Sequence, residues 1–363
     1  MYHGEIRPPA ECSANAAASA HVVSLRGALD ASVAPMVGTA LWGKAASARL
    51  FVVDLTRASL LSAATARVLS DLAGQLLGQA RQVWFAAPEP LAGILSRVNR
   101  ALTSLVVPTV SDVVVDGRFS HSHIDVRWLR NRAHIASAIE VLRLRHGIAD
   151  EKAAFALLRT SSQRNNVTVR ALAHELLSPH HGTAPPPTRP VLEFAPHAVT
   201  TSEVLAALLD TVLQVTNAGR GDVQTLDIPE DGLSLEHQRG FQETFADHLL
   251  HVQGNSAADS AWRTGQRVVV GDVATSPVLG AEDRRALLEA GVVALHSTPV
   301  VTPDGTCLGV VTDHHADRSA LPHARGVLRA VDEVASAAGA WLDWHRRVVV
   351  PAAVAELHGL AGR

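Results

Sequence analysis

Residues 153–177 read AAFALLRTSSQRNNVTVRALAHELL, a helical pattern interrupted once, with polar groups gathered at the interruption. Ala154, Phe155 and Leu158 recur at helical spacing and predict one buried face, with Asp150 placed to cap the helix start. Thr168 is placed to cap a second helix that buries Val169, Leu172 and Leu176. Upstream, in DVRWLRNRAHIASAIEVLRLRHG, Trp128, Ile135, Ile139 and Leu142 keep to one side, and Gly147 stops that helix. The heptad steps from Trp128 through Ile135 to Leu142 resemble a coiled-coil seam, which predicts a homodimer in which Asn131, if it falls in the seam, sets register. Three helices in succession predict a small bundle.

Charge singles out the same region. Residues 118–180 hold ten Lys and Arg against five Asp and Glu, a local +5 in a chain of 363 residues whose net charge is −3. Arg159 and Gln163 lie one turn apart, away from Phe155 and Leu158, and Arg164, Asn165, Asn166 and Arg170 follow at the next helix start. Such groups contact phosphates and unpaired bases, and Arg143 and Arg145 add to the field. Charge alone leaves two readings open, a polyanion-binding surface and a solvated helix face.

The length suggests two or three domains, and a composition 47% apolar but only 4% aromatic predicts globular, aliphatic cores. The two cysteines, Cys12 and Cys307, cannot build a disulfide framework and fit reduced thiols. The N-terminal MYHGEIRPPAEC has no apolar signal core, and no stretch is long and apolar enough for a membrane span. These features predict a cytoplasmic protein away from membranes. Walker A, dinucleotide-loop, G-x-S-x-G and HExxH patterns are absent, so no enzymatic activity is expected.

Before the bundle, HVVSLRGAL, RLFVVDL and RQVWFAA alternate with the helical patterns LLSAATARVLSDLAGQLL and PLAGILSRVNRAL, an α/β order. In the central helix Leu61, Ala64, Val68, Leu72 and Leu76 share a face. After the bundle, SPHHGTAPPPTRP (178–190) cannot continue a helix and reads as a stiff connector. Beyond it, Thr200 or Thr201 caps a helix burying Leu205, Leu208, Leu209 and Val212. Hairpins turn at PEDG and PDG, and a last helix aligns Leu328, Val331, Ala335, Ala338 and Leu342.

Three resemblances follow from these residues. The order Ala138, Leu142, Arg145-His146-Gly147, Ala154-Phe155, Leu158-Arg159, Ser162-Gln163, Asn166-Val167, Arg170, Leu172-Ala173 resembles the ANTAR domain over residues 118–178. That family implies a dimeric RNA-binding antiterminator that holds nascent transcripts in paired stem-loops. The resemblance would make Arg143, Arg145, Arg159, Gln163, Arg164, Asn165, Asn166 and Arg170 the RNA-facing set. The chain departs from the family at Glu140 (usually glycine), Arg143 (usually methionine) and Thr168 (usually basic).

Residues 18–116, through RGALDASVAP, VVDLTRASLLSAATARVLSDLA and VWFAAPEPLAGILSRVNRALTSLVVPTVSDVV, resemble the STAS domain of anti-sigma factor antagonists. There an Asp-Ser pair opens the central helix, and phosphorylation of that serine breaks a complex with a partner kinase. Here those positions are Ser62 and Ala63, so the acceptor is displaced, and Ser62 also suits a helix N-cap. Residues 193–347, through GDVQTLDIPEDGLSLEHQRGF, GQRVVVGDVATSPV and LLEAGVVALHSTPVVTPDGTCLGVVTDHH, resemble the GAF domain. That family implies a sensory module enclosing a small ligand between sheet and helices, with its first and last helices in dimer contacts. No cysteine stands between Phe241 and Gly265 for a covalent tetrapyrrole, no cofactor is assigned, and Asp313-His314-His315 point alternately to opposite faces of a strand, which disfavours a metal.

The expected architecture is therefore an α/β multidomain chain. It comprises a STAS-like α/β sandwich (18–116), a three-helix ANTAR-like bundle (118–178), a Pro-rich linker (179–192) and a GAF-like α+β domain with an antiparallel sheet (193–347). Two functions fit: a signal-responsive RNA-binding antiterminator, or a scaffold of a sigma-factor or stress pathway acting through a protein partner of the STAS-like domain, with RNA binding lost. Glu140 and Thr168 favour the scaffold and the +5 segment favours RNA.

Overall fold

A computed structural model describes residues 20–45, 48–113, 120–178, 186–227, 232–242, 245, 249, 255–322 and 324–362. Cys12, the PEDG turn up to Asp231, and most of the Pro-rich stretch lie outside them. The chain divides into two compact units, Met1–Leu129 and Arg130–Arg363.

In the first unit β1 (Ala20–Leu29), α1 (Ala34–Ala45), β2 (Leu50–Asp54), β3 (Ala58–Leu61), α2 (Ala63–Gly78), β4 (Gln82–Ala86), α3 (Glu89–Val98), β5 (Val106–Val107) and β6 (Ser120–Asp125) follow in order. All described pairings are parallel, in the order β3-β1-β2-β4-β5, with β6 also on β1. β6 pairs with residues 21–26 of β1 and β3 with residues 27–29. The register shifts between Gly27 and Ala28, and Gly27 has φ +95°, a conformation glycine adopts without Cβ strain. Leu25, Phe51, Val53 and Phe85 of the strands bury against Val37 and Leu41 of α1, Leu69 and Leu76 of α2, and Leu95 of α3.

Two expectations need correction here. The buried stripe of α2 is Thr65, Ala66, Leu69, Leu72, Ala73 and Leu76, while Ala64 and Val68 are half-buried. Val68 leans instead on α1, where a Cβ on Gly38 would stand 2.7 Å from its Cγ1. The region read as helical from residue 118 opens on a strand, because SHSHID carries too few apolar residues to announce one and only its pairing with β1 makes it so.

The N-cap reading of Ser62 matches the geometry. Its backbone is extended and its Oγ accepts from the Thr65 backbone N–H at 3.2 Å. Ser62→Ala should therefore lower the stability of the first unit by about 1 kcal/mol in denaturant unfolding, and Ser62→Asp, which also caps, should be near neutral.

The second unit holds a helical bundle and a sheet domain. α4 (Val126–His146), whose first residues belong to the first unit, α5 (Glu151–Asn165) and α6 (Val169–Leu177) are the three expected bundle helices. Asp150 accepts from Lys152 N–H and Thr168 from Ala171 N–H, so both predicted caps form. Gly147 ends α4 with φ +65° and Asn166 ends α5 with φ +53°.

The sheet domain runs through α7 (Thr201–Thr216), β7 (Arg220–Asp227), β8 (Gly232–Arg239), α8 (Ala257–Thr264), β9 (Val268–Val270), α9 (Ala281–Glu289), β10 (Ala294–Val301), β11 (Cys307–His315) and α10 (Arg325–Trp344). The antiparallel order is β8-β7-β11-β10-β9. Thr200 caps α7 in a reciprocal box with Glu203, whose carboxyl the backbone N–H groups of Val199 and Thr200 hold below its usual range. Side chains alternate across the sheet: Val223, Val300 and Val311 pack on α7 and α10 around Trp341, while Val310 and Leu295 face α8 and α9.

A helix beyond the expected boundary of residue 347 completes the bundle. After α10 the chain makes a π turn over His345–Val349 and continues as α11 (Val350–Ala361). Pro351 supplies a physical cause, since it lacks the N–H that would bond the carbonyl one turn back. Val350, Ala353 and Leu357 of α11 bury with Ala138, Leu142, Ala154, Leu158, Leu172 and Leu176. This fourth helix also moves the buried arc of α5 to Ala154, Leu158, Ser161 and Ser162, so Phe155, expected inside, is 41% exposed. Ser161 is buried because its Oγ donates to the Ala353 carbonyl at 2.7 Å.

Candidate functional site

The candidate RNA-facing residues fall into three groups. Arg159 and Gln163 are exposed on α5, one turn apart as the sequence predicts, and no partner holds them among the described residues. Arg164, Asn165, Asn166 and Arg170 gather at the α5–α6 corner, and the second unit's own acids meet three of them. Glu356 of α11 accepts from Arg164 at 3.2 Å and from Asn165 Nδ2 at 2.6 Å, while Glu236 of β8 lies 3.4 Å from Arg170. Those Asn165 and Arg164 contacts keep the Glu356 carboxyl below the usual carboxylate range. Asn166 is the left-handed corner residue. Burial keeps His345 below the usual imidazole range.

The third group closes the end of α4. Arg143 donates to Glu140 at 2.9 Å and to the Ile148 and Ala149 carbonyls at 3.3 and 3.1 Å, and so pins the α4–α5 turn. The departures at 140 and 143 thus pair with each other, and the departure at Thr168 serves as a helix cap. Arg145 is exposed and 3.4 Å from His358 Nε2, while His146 hydrogen-bonds His358 Nδ1 at 2.9 Å. Sequence reasoning missed Glu356 and His358. The signal was present: Val350, Ala353, Val354 and Leu357 have the i, i+3, i+4, i+7 spacing of an amphipathic helix.

Within the sheet domain, buried polar groups divide between the two faces. Asp222, Gln224, Ser297, Thr312 and His314 line a cavity of about 30 Å³ with Ser256, Asp283 and Leu295, room for roughly two waters. Asp222 accepts from His314 Nε2 and from Gln224, both at 2.7 Å. On the face that carries α7 and α10, Asp313 lies 2.7 Å from His315 Nε2 and 3.6 Å from His296 Nδ1. Burial pushes its carboxyl up, but the two histidines outweigh burial and leave it below the usual range. Residues 313 and 315 thus share a face and 314 takes the other, and among the described residues no group of three or more His, Cys, Asp or Glu could hold a metal ion. A cleft of about 280 Å³ opens beside Arg220, Phe241, Phe245 and Glu289. Cys307 is buried, and burial pushes its thiol up.

The first unit brings together Ser24, Asp54 and His121, which no sequence motif linked. Ser24 Oγ donates to Asp54 Oδ2 at 2.7 Å and lies 2.8 Å from His121 Nε2. With its one hydrogen on Asp54, the hydroxyl can only accept from His121, so the imidazole does not activate it as a nucleophile. Ser62 caps α2 and Ala63 is exposed at its first position.

The helical bundle and the antiparallel sheet domain each match a known family. The family model of the ANTAR domain matches residues 127–177, and that of the GAF domain matches residues 200–340. The chain therefore carries an ANTAR domain followed by a GAF domain. No curated protein matches it. Similar solved structures include the GAF domain/HD domain protein from Geobacter sulfurreducens (16% identity, 41% of this chain and 95% of that one, TM-score 0.35). Another is the GAF domain from Acinetobacter phosphoenolpyruvate-protein phosphotransferase (12% identity, 53% and 95%, TM-score 0.34). A third is type II free methionine-R-sulfoxide reductase from Thermoplasma acidophilum (14% identity, 40% and 96%, TM-score 0.32). Among the described residues no helix is long and apolar enough to cross a membrane.

Proposed function

We propose that the chain is a non-enzymatic, cytoplasmic regulator that binds paired RNA stem-loops through its ANTAR domain, antiterminates transcription and takes its signal from a small ligand of the GAF domain. The exposed side of α5 and the α5–α6 corner carry this reading, because Arg159 and Gln163 on the helix and Arg164 and Arg170 at the corner are all exposed. Guanidinium and amide groups so placed bind phosphates and splayed bases. A homodimer is part of the proposal, but not through the heptad seam read from the sequence, since Leu142 is buried in the bundle core; Val141 and Leu144, three apart on α4, are 36% and 76% exposed and offer another face. The proposal keeps residues 18–116 as a STAS-like module for a signalling protein, without a phosphoserine switch at Ser62.

The test is binding of the full chain to paired stem-loop RNA across a salt series. Affinity should fall steeply with salt, and the double variant Arg159→Glu, Arg164→Glu should bind about 30-fold more weakly, with a log–log salt slope shallower by about 2. Absence of binding at low salt would end the RNA reading. Light scattering on the same samples reads the dimer, which a monomer at tens of micromolar would remove. The scaffold reading draws on Arg143 being tied into the α4–α5 turn, and it predicts no RNA binding at any salt concentration.

A further inference from the structure

α11 meets the ANTAR domain in two ways. Its apolar side, Val350, Ala353 and Leu357, completes the bundle core, so the helix is held in place. Its polar side puts Glu356 on Arg164 and Asn165, where the carboxylate accepts from both at once. A carboxylate bridging an arginine and an amide offers those donors the same oxygens that a phosphate would. The GAF sheet repeats the arrangement at the far side of the corner, with Glu236 on Arg170. Acids from α11 and the sheet domain thus hold three of the candidate RNA-facing residues.

α11 is also the direct continuation of the last GAF helix. α10 packs on the sheet through Val331, Ala335, Ala338 and Trp341, and the π turn between α10 and α11 is tied back to α10. Asp343 at the end of α10 lies 3.2 Å from Arg347 of the turn, and His345 stacks on Trp341 at 5.0 Å. A rotation or shift of α10 on the sheet would therefore move Glu356 relative to Arg164 with no intervening flexible linker.

We infer that α11 is a built-in antagonist of the RNA surface: Glu356, aided by Glu236, occupies the phosphate positions at Arg164, Asn165 and Arg170, and a ligand-driven rotation of α10 in the GAF domain, passed to α11 in its packed seat, turns Glu356 off Arg164 and Asn165. The inference rests on the RNA-binding reading above. A surface ion pair shifts an equilibrium by a factor of about 1.4 to 5, so releasing these contacts together should matter by roughly ten-fold. A ligand regulates the surface only through its difference in affinity for the docked and withdrawn states.

The experiment compares the full chain with Glu356→Gln, Glu236→Gln, the double variant and Glu333→Gln. Glu333 is an exposed acid of α10 paired with Arg329, remote in sequence from the corner, and its substitution removes the same charge. Fluorescence anisotropy with paired stem-loop RNA at one salt concentration gives the affinities, and circular dichroism shows whether helicity is kept. The double variant should bind roughly ten-fold more tightly than the unsubstituted chain, and Glu333→Gln should bind like it. Equal affinities of the double variant and the unsubstituted chain would overturn the antagonist while leaving RNA binding intact. A gain for Glu333→Gln as large as for Glu356→Gln would also overturn it, because bulk charge would then explain the effect. If no form binds RNA, the RNA reading fails and the antagonist falls with it.

Discussion

Gly339→Ala should cost the sheet domain about 3 kcal/mol, although alanine is the better helix former by about 1 kcal/mol. Gly339 lies well inside α10, where that propensity gain applies in full. A Cβ there would stand 1.9 Å from the Val301 carbonyl oxygen and 2.5 Å from its carbon. The obstacle is backbone of β10, which no side-chain rotation can clear, so the helix must lift from the sheet. Lifting it loosens Val331, Ala335, Ala338 and Leu342 together, and that loss exceeds the propensity gain. Hydrogen exchange of β10 and β11 amides, which reads local stability, should show the drop. The comparison is Gly74→Ala within α2, where nothing lies within 4 Å of the added carbon and stability should rise by up to about 1 kcal/mol.

Trp341→Ala should cost about 4 kcal/mol. Trp341 is 1% exposed in the core between α7, α10 and the sheet, and its ring stacks on His345 with an interplanar angle of 19°. Trp344 meets it edge-on at 5.7 Å, with Arg189 over the far ring at 5.3 Å. Truncation leaves a void that neighbours anchored in a sheet cannot fill, and it removes the stacking that positions the π turn. Denaturant unfolding of the full chain followed by exchange of α7 and α10 amides should report the loss. Trp341→Phe, which keeps a ring in place, should recover more than half of it. A cost under 1 kcal/mol for the alanine variant would mean that the α10 core is far looser than its burial implies.

Much of the chain was legible because local rules and tertiary structure agree there. Asp150, Thr168, Ser62 and Thr200 cap the helices they were placed to cap, since capping is a contact with the backbone two or three residues on. Leu205, Leu208, Leu209 and Val212 bury as their spacing predicts. β6 was not legible, because its strand character comes from β1, about a hundred residues away in sequence. The outward turn of Phe155 was not legible either, because α11 takes the side of the bundle that a three-helix reading leaves open.

The candidate site divides in the same way. Arg159, Gln163, Arg164, Asn165, Asn166 and Arg170 were named from the sequence, because helical periodicity sets which side chains turn away from a core and composition shows where positive charge collects. Their partners were not, since Glu356 is about 190 residues away and Glu236 on another domain's strand. By itself the sequence determined most of the helices and strands, most caps, the α/β order of the first unit, the hairpins of the second and the basic segment, all properties of short-range backbone geometry and side-chain period. Only the tertiary structure decided that His146 meets His358, that Asp313 sits between two histidines of neighbouring strands, and that a fourth helix places a carboxylate on the candidate RNA-facing residues. Those outcomes depend on which distant groups the packed cores bring within hydrogen-bonding distance, which no local pattern encodes.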